Sequence, residues 1–194
     1  KFELYPQDYE LARLLYLPYD NQNLLNYLQE KYNEFDKLGN YDSGTLEREM
    51  DPEERLHVLP EYMYQFIDLY KEKKGDSTIK QWENKLTGMY FDFVRNSSNP
   101  FIRKWFTFEL NVINMLTGFN CRKFDRDPEE ELIGDNFVTE AIKRSNAKDF
   151  GLETEIDYVH HVVYIADKDN LLSREKNIDQ FKWEMLNEYT LFHY

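Results

Sequence analysis

Glycine and proline are scarce in this sequence, with 7 and 6 occurrences among 194 residues. Sheets and barrels need many turns, and phosphate-binding loops need several glycines close together. The sequence contains no Gly-x-x-x-x-Gly-Lys loop, no dinucleotide-binding glycine fingerprint and no Gly-x-Ser-x-Gly hydrolase elbow. So few turn residues favour long helices instead. We therefore predict an all-α, multi-helical protein without significant sheet.

Cysteine and positive charge are also in short supply. Cys121 is the only cysteine, which excludes an internal disulfide framework and a cysteine-based zinc site, and which suits a reducing compartment. Lysine and arginine number 24 against 37 acids, so the net charge is −13. A surface this acidic repels phosphate backbones and anionic lipid headgroups. We predict no nucleic-acid partner, whereas a basic protein partner fits.

Long apolar runs are missing as well. No stretch approaches the roughly 20 apolar residues that span a bilayer, and no signal-peptide pattern occurs. We predict a cytoplasmic protein without direct membrane insertion. The chain starts at Lys1 rather than Met and ends on the aromatic-rich "YTLFHY". We therefore expect residues 1–194 to be a single all-helical domain, and a fragment of a longer chain that lacks residues at both ends.

Apolar residues (41%) and aromatic residues (16%) are plentiful enough to fill a sizeable core. Prolines, capping residues and acidic first turns indicate where the helices begin. We expect Glu153, Glu155 and Asp157 in the first turn of one late helix. The predicted helices are "QDYELARLLYL", residues 19 to 35, "GTLEREM", "EYMYQFIDLYKEKK", "DSTIKQWENKLTGMYFDFVRNS", "NPFIRKWFTFELNVINMLTGFNCRKF", "DNFVTEAIKRSN", residues 153 to 167 and residues 173 to 192.

The helix near residues 100–121 is apolar nearly all round, which predicts a buried central helix. One narrow stripe along it is polar or small, and Glu109 lies on its broad apolar face. Unpaired buried polar groups cost about 1 to 3 kcal/mol each, so these side chains need partners. We predict that Gly118 admits a neighbouring helix and that the amides and Glu109 tie loops or helix ends to the core. A polar groove that faces a ligand or partner is the alternative. The stripe consists of Thr107, Asn111, Asn114, Gly118 and Cys121.

Two helices share a pair of polar residues three positions apart. Asp20 and Asn23 lie in "YDNQNLLNYL", and Asn111 and Asn114 lie in "NVINML". The second residue of each pair, Asn23 or Asn114, is followed by two large apolar residues. We therefore predict the same structural device in two related helices. We assign no catalytic, cofactor-binding or metal-binding residue. The predicted structural polar tethers are Asp20, Asn23, Glu109, Asn111 and Asn114.

A metal site is an alternative, since helical bundles hold two irons with acid-x-x-His pairs and extra glutamates. Glu54 and His57 have that spacing, as do Asp157 and His160, and Glu109 is a candidate third ligand. Acids are so frequent here that such spacings arise by chance. A carboxylate-rich helical bundle enzyme with a di-metal site stays open as an alternative function, and so does an unrelated helical protein-interaction module.

Several segments resemble a bacterial family that is encoded with V-type ATPase subunits and is itself similar to the C-type subunit of V/A-type ATPases, known as the d-type subunit in eukaryotes. The looser likeness to the C-type subunit lies in the helix from Asp20 with its following Gly39–Tyr41 loop, and in Glu109 with Asn114. The C-type subunit has an acid where this chain has Asn111. The segments that resemble the bacterial family are "LPYDNQNLLNYLQEK", "GNY", "WFTFELNVINMLTGFNCRKF", "AKDFGLETEIDYV" and "REKNIDQFKWEMLNEYTLFHY".

The resemblance implies a funnel-like array of related helical units that caps the membrane rotor ring and seats the central stalk. We accordingly expect a non-catalytic coupling or adaptor subunit of a V-type ATPase, in proton or sodium transport. Its expected partners are central-stalk and membrane-ring subunits. The expected location is cytoplasmic, associated peripherally with the inner membrane through the complex.

Overall fold

The computed structural model describes residues 5–191, and within that range the fold is all-helical, with ten helices and no strand. This confirms the predicted fold class. The chain divides into two compact units, Lys1–Asn96 and Ser97–Tyr194, which are described separately. The single-domain organisation and the funnel-like array stay predictions. The helices are α1 (Pro6–Leu14), α2 (Leu17–Leu28), α3 (Ser43–Met50), α4 (Glu61–Lys73), α5 (Ile79–Arg95), α6 (Pro100–Phe124), α7 (Pro128–Glu131), α8 (Phe137–Arg144), α9 (Val159–Ala166) and α10 (Leu171–Leu191).

In the first unit, α5 packs against both α2 and α4. A capping box starts α5: the Thr78 hydroxyl accepts from the Gln81 N–H, and the Gln81 side chain accepts from the Thr78 N–H. The facing sides of α4 and α5 are aromatic, and the Phe66 ring lies edge-on to Trp82 at 5.8 Å. The buried side chains of these two helices include Met63, Phe66, Ile67, Tyr70, Trp82, Leu86 and Tyr90.

In the second unit, α6 is the central helix and packs against α7, α8 and α9. Asn99 caps its start by accepting from the Ile102 N–H at 3.1 Å, and Pro100 occupies its first turn. Gly118 lies so close to α8 that a Cβ there would meet Ile142 Cγ2 at 2.7 Å. The predictions of a buried central helix and of a close approach at Gly118 are both confirmed.

Two predicted helices overrun the observed ones by more than one turn at one end. The helix predicted for residues 19 to 35 ends at Leu28, because Glu30 takes a left-handed conformation and the following loop folds back onto α2. The helix predicted for residues 153 to 167 starts only at Val159. Residues 153–158 form turns anchored on Leu152, whose carbonyl accepts from the Ile156 N–H, so the three acids expected in a first turn precede the helix.

The last helix begins at Leu171, two residues before its predicted start, and its predicted end at position 192 lies outside the described residues. None of the described helices has both the length and the apolar character that crossing a bilayer requires.

Candidate functional site

Asn23 clasps the loop that follows its own helix. Its Nδ2 donates to the Asp36 carbonyl at 2.8 Å, and its Oδ1 accepts from the Asp36 N–H at 2.7 Å. Asn26, one turn later, donates to the Glu34 carbonyl at 2.6 Å. Asn23 is 2% exposed, so its amide provides the hydrogen bonds that water would otherwise provide to the backbone of this loop. These bonds explain why the chain leaves the helical path after Leu28.

Asp20 holds the far end of the same loop. Its carboxylate is fully buried and accepts from Asn40 Nδ2 at 2.6 Å and from the Tyr41 N–H at 3.1 Å. Burial raises the pKa of Asp20, and the hydrogen bonds from Asn40 and Tyr41 oppose that rise. Gly39 permits this approach, because a Cβ there would meet Asp20 Oδ1 at 2.5 Å.

Asn114 makes the same two-point clasp in the second unit. Its Nδ2 donates to the Ile133 carbonyl at 2.9 Å, and its Oδ1 accepts from the Ile133 N–H at 2.8 Å. Asn114 has no exposed surface. The amide therefore fixes the segment between α7 and α8 to the central helix, and since it has no exposed surface it does not face an open ligand site in this arrangement.

Asn111 joins two further segments to α6. Its Oδ1 accepts from Asn136 Nδ2 at 3.2 Å, and its Nδ2 donates to the Tyr158 hydroxyl at 3.3 Å. Asn136 in turn caps α8, accepting from the Val138 and Thr139 N–H groups. Asn111 therefore connects the central helix both to the start of α8 and to the segment that leads into α9.

Glu109 makes an ion pair with Lys182 at 2.9 Å, which links α6 to α10. The two side chains are 20% and 32% exposed, so water screens the pair in part. Each of the five predicted tethers thus contacts a loop, a cap or a second helix. The sequence could not show which segment each one holds.

The two units use their polar pairs in the same order. In each, the later amide (Asn23 or Asn114) clasps one loop residue through both of its backbone groups: Asp36 in the loop after α2, and Ile133 in the loop after α7. The earlier polar residue (Asp20 or Asn111) contacts the last part of that loop, just before the next short helix. Each unit therefore contains a helix, a clasped loop and a short capped helix, and in the second unit the short helix α7 lies between the first helix and the loop.

A buried carboxylate that the sequence reasoning missed holds the loop after α3. Glu49 is fully buried and accepts from the Leu56 N–H at 2.9 Å, the His57 N–H at 3.2 Å and the Tyr64 hydroxyl. Burial disfavours its charge, but the hydrogen bond from Tyr64 and the two backbone donors outweigh burial and lower the pKa of Glu49. Burial, together with the hydrogen bond that its hydroxyl donates to Glu49, raises the pKa of Tyr64 to about 12.

The residues considered for a metal site are not brought together. His160 Nε2 lies 3.1 Å from Glu153 Oε1, and Glu54 and His57 are exposed. Glu109 is engaged by Lys182. Among residues 5–191, no cluster of three or more histidine, cysteine, aspartate or glutamate side chains could hold a metal ion.

An open pocket of about 630 Å³ lies in the second unit, between α6, α10 and the turns before α9. Its lining includes the aromatic rings of Phe137, Tyr158, Phe181 and Tyr189. Phe108, outside the lining, packs edge-on against Tyr158 at 5.1 Å and Phe181 at 5.2 Å. Tyr189 completes this cluster, and His161 stacks on Phe181 at 4.4 Å. Burial raises the pKa of Tyr158, and it raises that of Tyr189 to about 12, so both phenols keep their protons at neutral pH.

The lining of this pocket, which we call the acidic aromatic pocket, is negatively charged. Four carboxylates and one ammonium lie along it, a formal excess of three negative charges. The ammonium of Lys104 sits 3.8 Å from the centre of the Tyr189 ring, a cation–π contact. The four carboxylates belong to Glu155, Asp157, Glu184 and Glu188.

A second pocket, of about 450 Å³, lies in the first unit beside the Asn23 clasp. Its charges are mixed, with Lys31 opposite Glu34 and Glu47, and the amides of Asn23 and Asn26 are already used by the loop. Its charged groups therefore balance more closely than those of the acidic aromatic pocket, and two of its amides already bind the loop.

Comparisons with known proteins give a family. No curated protein and no solved structure matches the chain. The model of one family, described as "Protein of unknown function (DUF2764)", matches residues 1–194, and the chain therefore belongs to that family.

Proposed function

We propose that this chain is a non-catalytic helical coupling or adaptor subunit, and that the complex it serves is a V-type ATPase. In that complex it would lie between the central stalk and the membrane rotor ring, associated peripherally with the inner membrane. The resemblance of its sequence to a family encoded with such ATPases, and more loosely to their C-type subunit, supports the assignment of the complex.

The observation that best supports an adaptor is how the buried polar side chains are used. Asp20, Asn23, Glu49, Asn111 and Asn114 all lie at or below 4% exposure, and each hydrogen-bonds a loop or a helix cap of its own unit. Groups that are paired in this way rigidify a scaffold, because the loops cannot move without leaving buried donors and acceptors unpaired.

The repetition of the clasp supports the link to the C-type subunit in particular. Related helical units are what that resemblance implies, and both units of this chain contain a helix, a clasped loop and a capped short helix. The net charge of −13 adds a means of docking, since an acidic scaffold attracts basic surfaces on partner subunits.

Affinity purification tests this proposal. The full-length natural protein is tagged, native membranes are gently solubilised, and the co-purifying proteins are quantified by mass spectrometry. We expect stalk and ring subunits of the ATPase at about 0.05 M salt, and their loss at about 0.5 M salt, because screening weakens contacts between exposed charges.

Two results would contradict the proposal or part of it. Recovery of the protein without ATPase subunits at low salt, from membranes in which the ATPase itself is intact, would oppose the assignment of the complex. Retention of those subunits in high salt would oppose docking through charge.

A further inference from the structure

We propose that the acidic aromatic pocket of the second unit binds an arginine side chain of a partner protein. The pocket combines two features that favour a guanidinium group, aromatic rings in its lining and exposed carboxylates around them. This inference concerns a single site, and it holds whichever complex the chain serves.

The aromatic walls favour a planar cation. A guanidinium stacks on ring faces and binds carboxylates through two parallel hydrogen bonds, whereas a lysine ammonium is a compact, strongly hydrated charge. The half-buried Tyr158 and the exposed His161 supply ring surface in the lining, and His161 stacks on the buried Phe181 at 4.4 Å. The pocket therefore suits arginine better than lysine.

The rim carboxylates supply the charge. Glu184 and Glu188 lie one turn apart on α10, so their side chains share a face of the helix. Glu155 and Asp157 come from the turns before α9, on another side of the pocket. A cation that enters between these two segments meets carboxylates from both.

The chain already contains a precedent for a cation in this pocket. Lys104 holds its ammonium 3.8 Å from the centre of the Tyr189 ring. Lys104 is exposed on α6, so its side chain can withdraw without loss of a packed contact in the core. An arriving arginine would compete with Lys104 for the ring and would be repelled by its charge. Removal of the Lys104 charge should therefore strengthen binding.

The five methionines of the chain allow a direct test. Only Met185 lines the pocket, and Met50, Met63, Met89 and Met115 serve as internal controls. The full chain is labelled with ¹³C at the methionine methyl groups, and the Met185 signal is assigned from a Met185→Leu variant. Three acetylated, amidated tripeptides are titrated: Gly-Arg-Gly, Gly-Lys-Gly and Gly-citrulline-Gly. Citrulline keeps the shape of arginine without its charge.

We expect a saturable shift of the Met185 signal with the arginine peptide, weaker binding of the lysine peptide and no saturable shift with the citrulline peptide. A Glu184→Gln/Glu188→Gln variant should bind the arginine peptide roughly tenfold more weakly. The matched control Glu175→Gln, on the same helix outside the pocket lining, should bind as the unaltered chain does.

Lys104→Gln should bind the arginine peptide more tightly, and Lys176→Gln, a change outside the pocket lining, should not. Equal shifts with the citrulline peptide, equal shifts at all five methyl groups, or unchanged affinity in the Glu184/Glu188 variant would each overturn the inference. Tighter binding of lysine than of arginine would overturn the choice of side chain.

Discussion

Replacing Asn114 by leucine would remove both hydrogen bonds that hold Ile133 to the central helix. Leucine has nearly the same shape as asparagine, so the change tests the hydrogen bonds more than the packing. Asn114 has no exposed surface, and its bonds to the Ile133 carbonyl and N–H measure 2.9 and 2.8 Å. The lost groups are therefore a full donor and a full acceptor.

The expected loss follows from these two bonds. A buried hydrogen bond contributes about 1 kcal/mol net, and a partner group left desolvated adds about 1 to 3 kcal/mol. Ile133 is partly exposed, so water can reach its backbone groups in part once the clasp is gone. We expect Asn114→Leu to lower the free energy of unfolding by about 2 to 4 kcal/mol.

The measurement is urea unfolding followed by tryptophan fluorescence. A Trp82→Phe background leaves Trp105 and Trp183, both in the second unit, as the reporters. Asn187→Leu, an exposed change on α10, is the control for replacing an amide by an apolar group. A change for Asn114→Leu within about 0.5 kcal/mol, as is usual at exposed sites, would refute the tethering argument.

Three further predictions concern other buried positions. Glu49→Gln should lower the free energy of unfolding by about 2 to 4 kcal/mol at pH 7. The pKa of Glu49 lies below its ordinary 4.5, so the unaltered chain loses stability as the pH falls through that lowered value. The difference in free energy of unfolding between the variant and the unaltered chain should therefore shrink at low pH. Asp20→Asn should show the opposite dependence on pH. The raised pKa of Asp20 means that the unaltered chain loses stability as the pH rises above 3.8. The difference in free energy of unfolding between this variant and the unaltered chain should therefore narrow with rising pH. Urea unfolding between pH 3 and 7 measures both slopes, and equal slopes would contradict the assigned shifts. Gly118→Ala should cost about 1 to 3 kcal/mol in the same assay, because its Cβ would meet Ile142 at 2.7 Å, and Ile142→Ala in addition should give less than the sum of the two single losses. Gly75→Ala, with nothing within 4 Å of the added Cβ, is the control, and an equal loss there would contradict the steric argument.

The tethering amides were predictable because burial of an amide in an apolar helix is costly unless it is paired. Asn114 and Gly118 lie on one stripe of a helix that is otherwise apolar, which indicated both a polar contact and a close approach. The partners were not predictable. Ile133 and Asp36 are ordinary loop positions, and only the path of the folded loop brings their backbone to the amides.

The misjudged helix ends have the same physical cause. Residues 29 to 35 have no proline or glycine to stop a helix, so local propensity favours continuation of α2. Asn23 and Asn26 offer the loop backbone hydrogen bonds that a longer helix would forgo. Such tertiary contacts override propensity, and they cannot be read from a local window of sequence.

The sequence did not distinguish Glu49 from the other acids that surround it. One signal was present: Leu46 and Met50 lie three residues before and one after it, so Glu49 shares the buried face of α3 with them. The acidic aromatic pocket had no such signal. Lys104, Asp157 and Glu188 lie far apart in the chain, and only the packing of the second unit brings them to one pocket.

Cross-linking mass spectrometry on native membranes tests the proposed coupling role most directly. A lysine-reactive cross-linker is applied to membranes that contain the full-length protein at its natural level, and the linked peptides are identified. The account predicts links from lysines of this chain to central-stalk and ring subunits of the V-type ATPase, reduced when the membranes are first washed at about 0.5 M salt. Abundant links within the ATPase, together with links from this chain only to unrelated proteins, would contradict it.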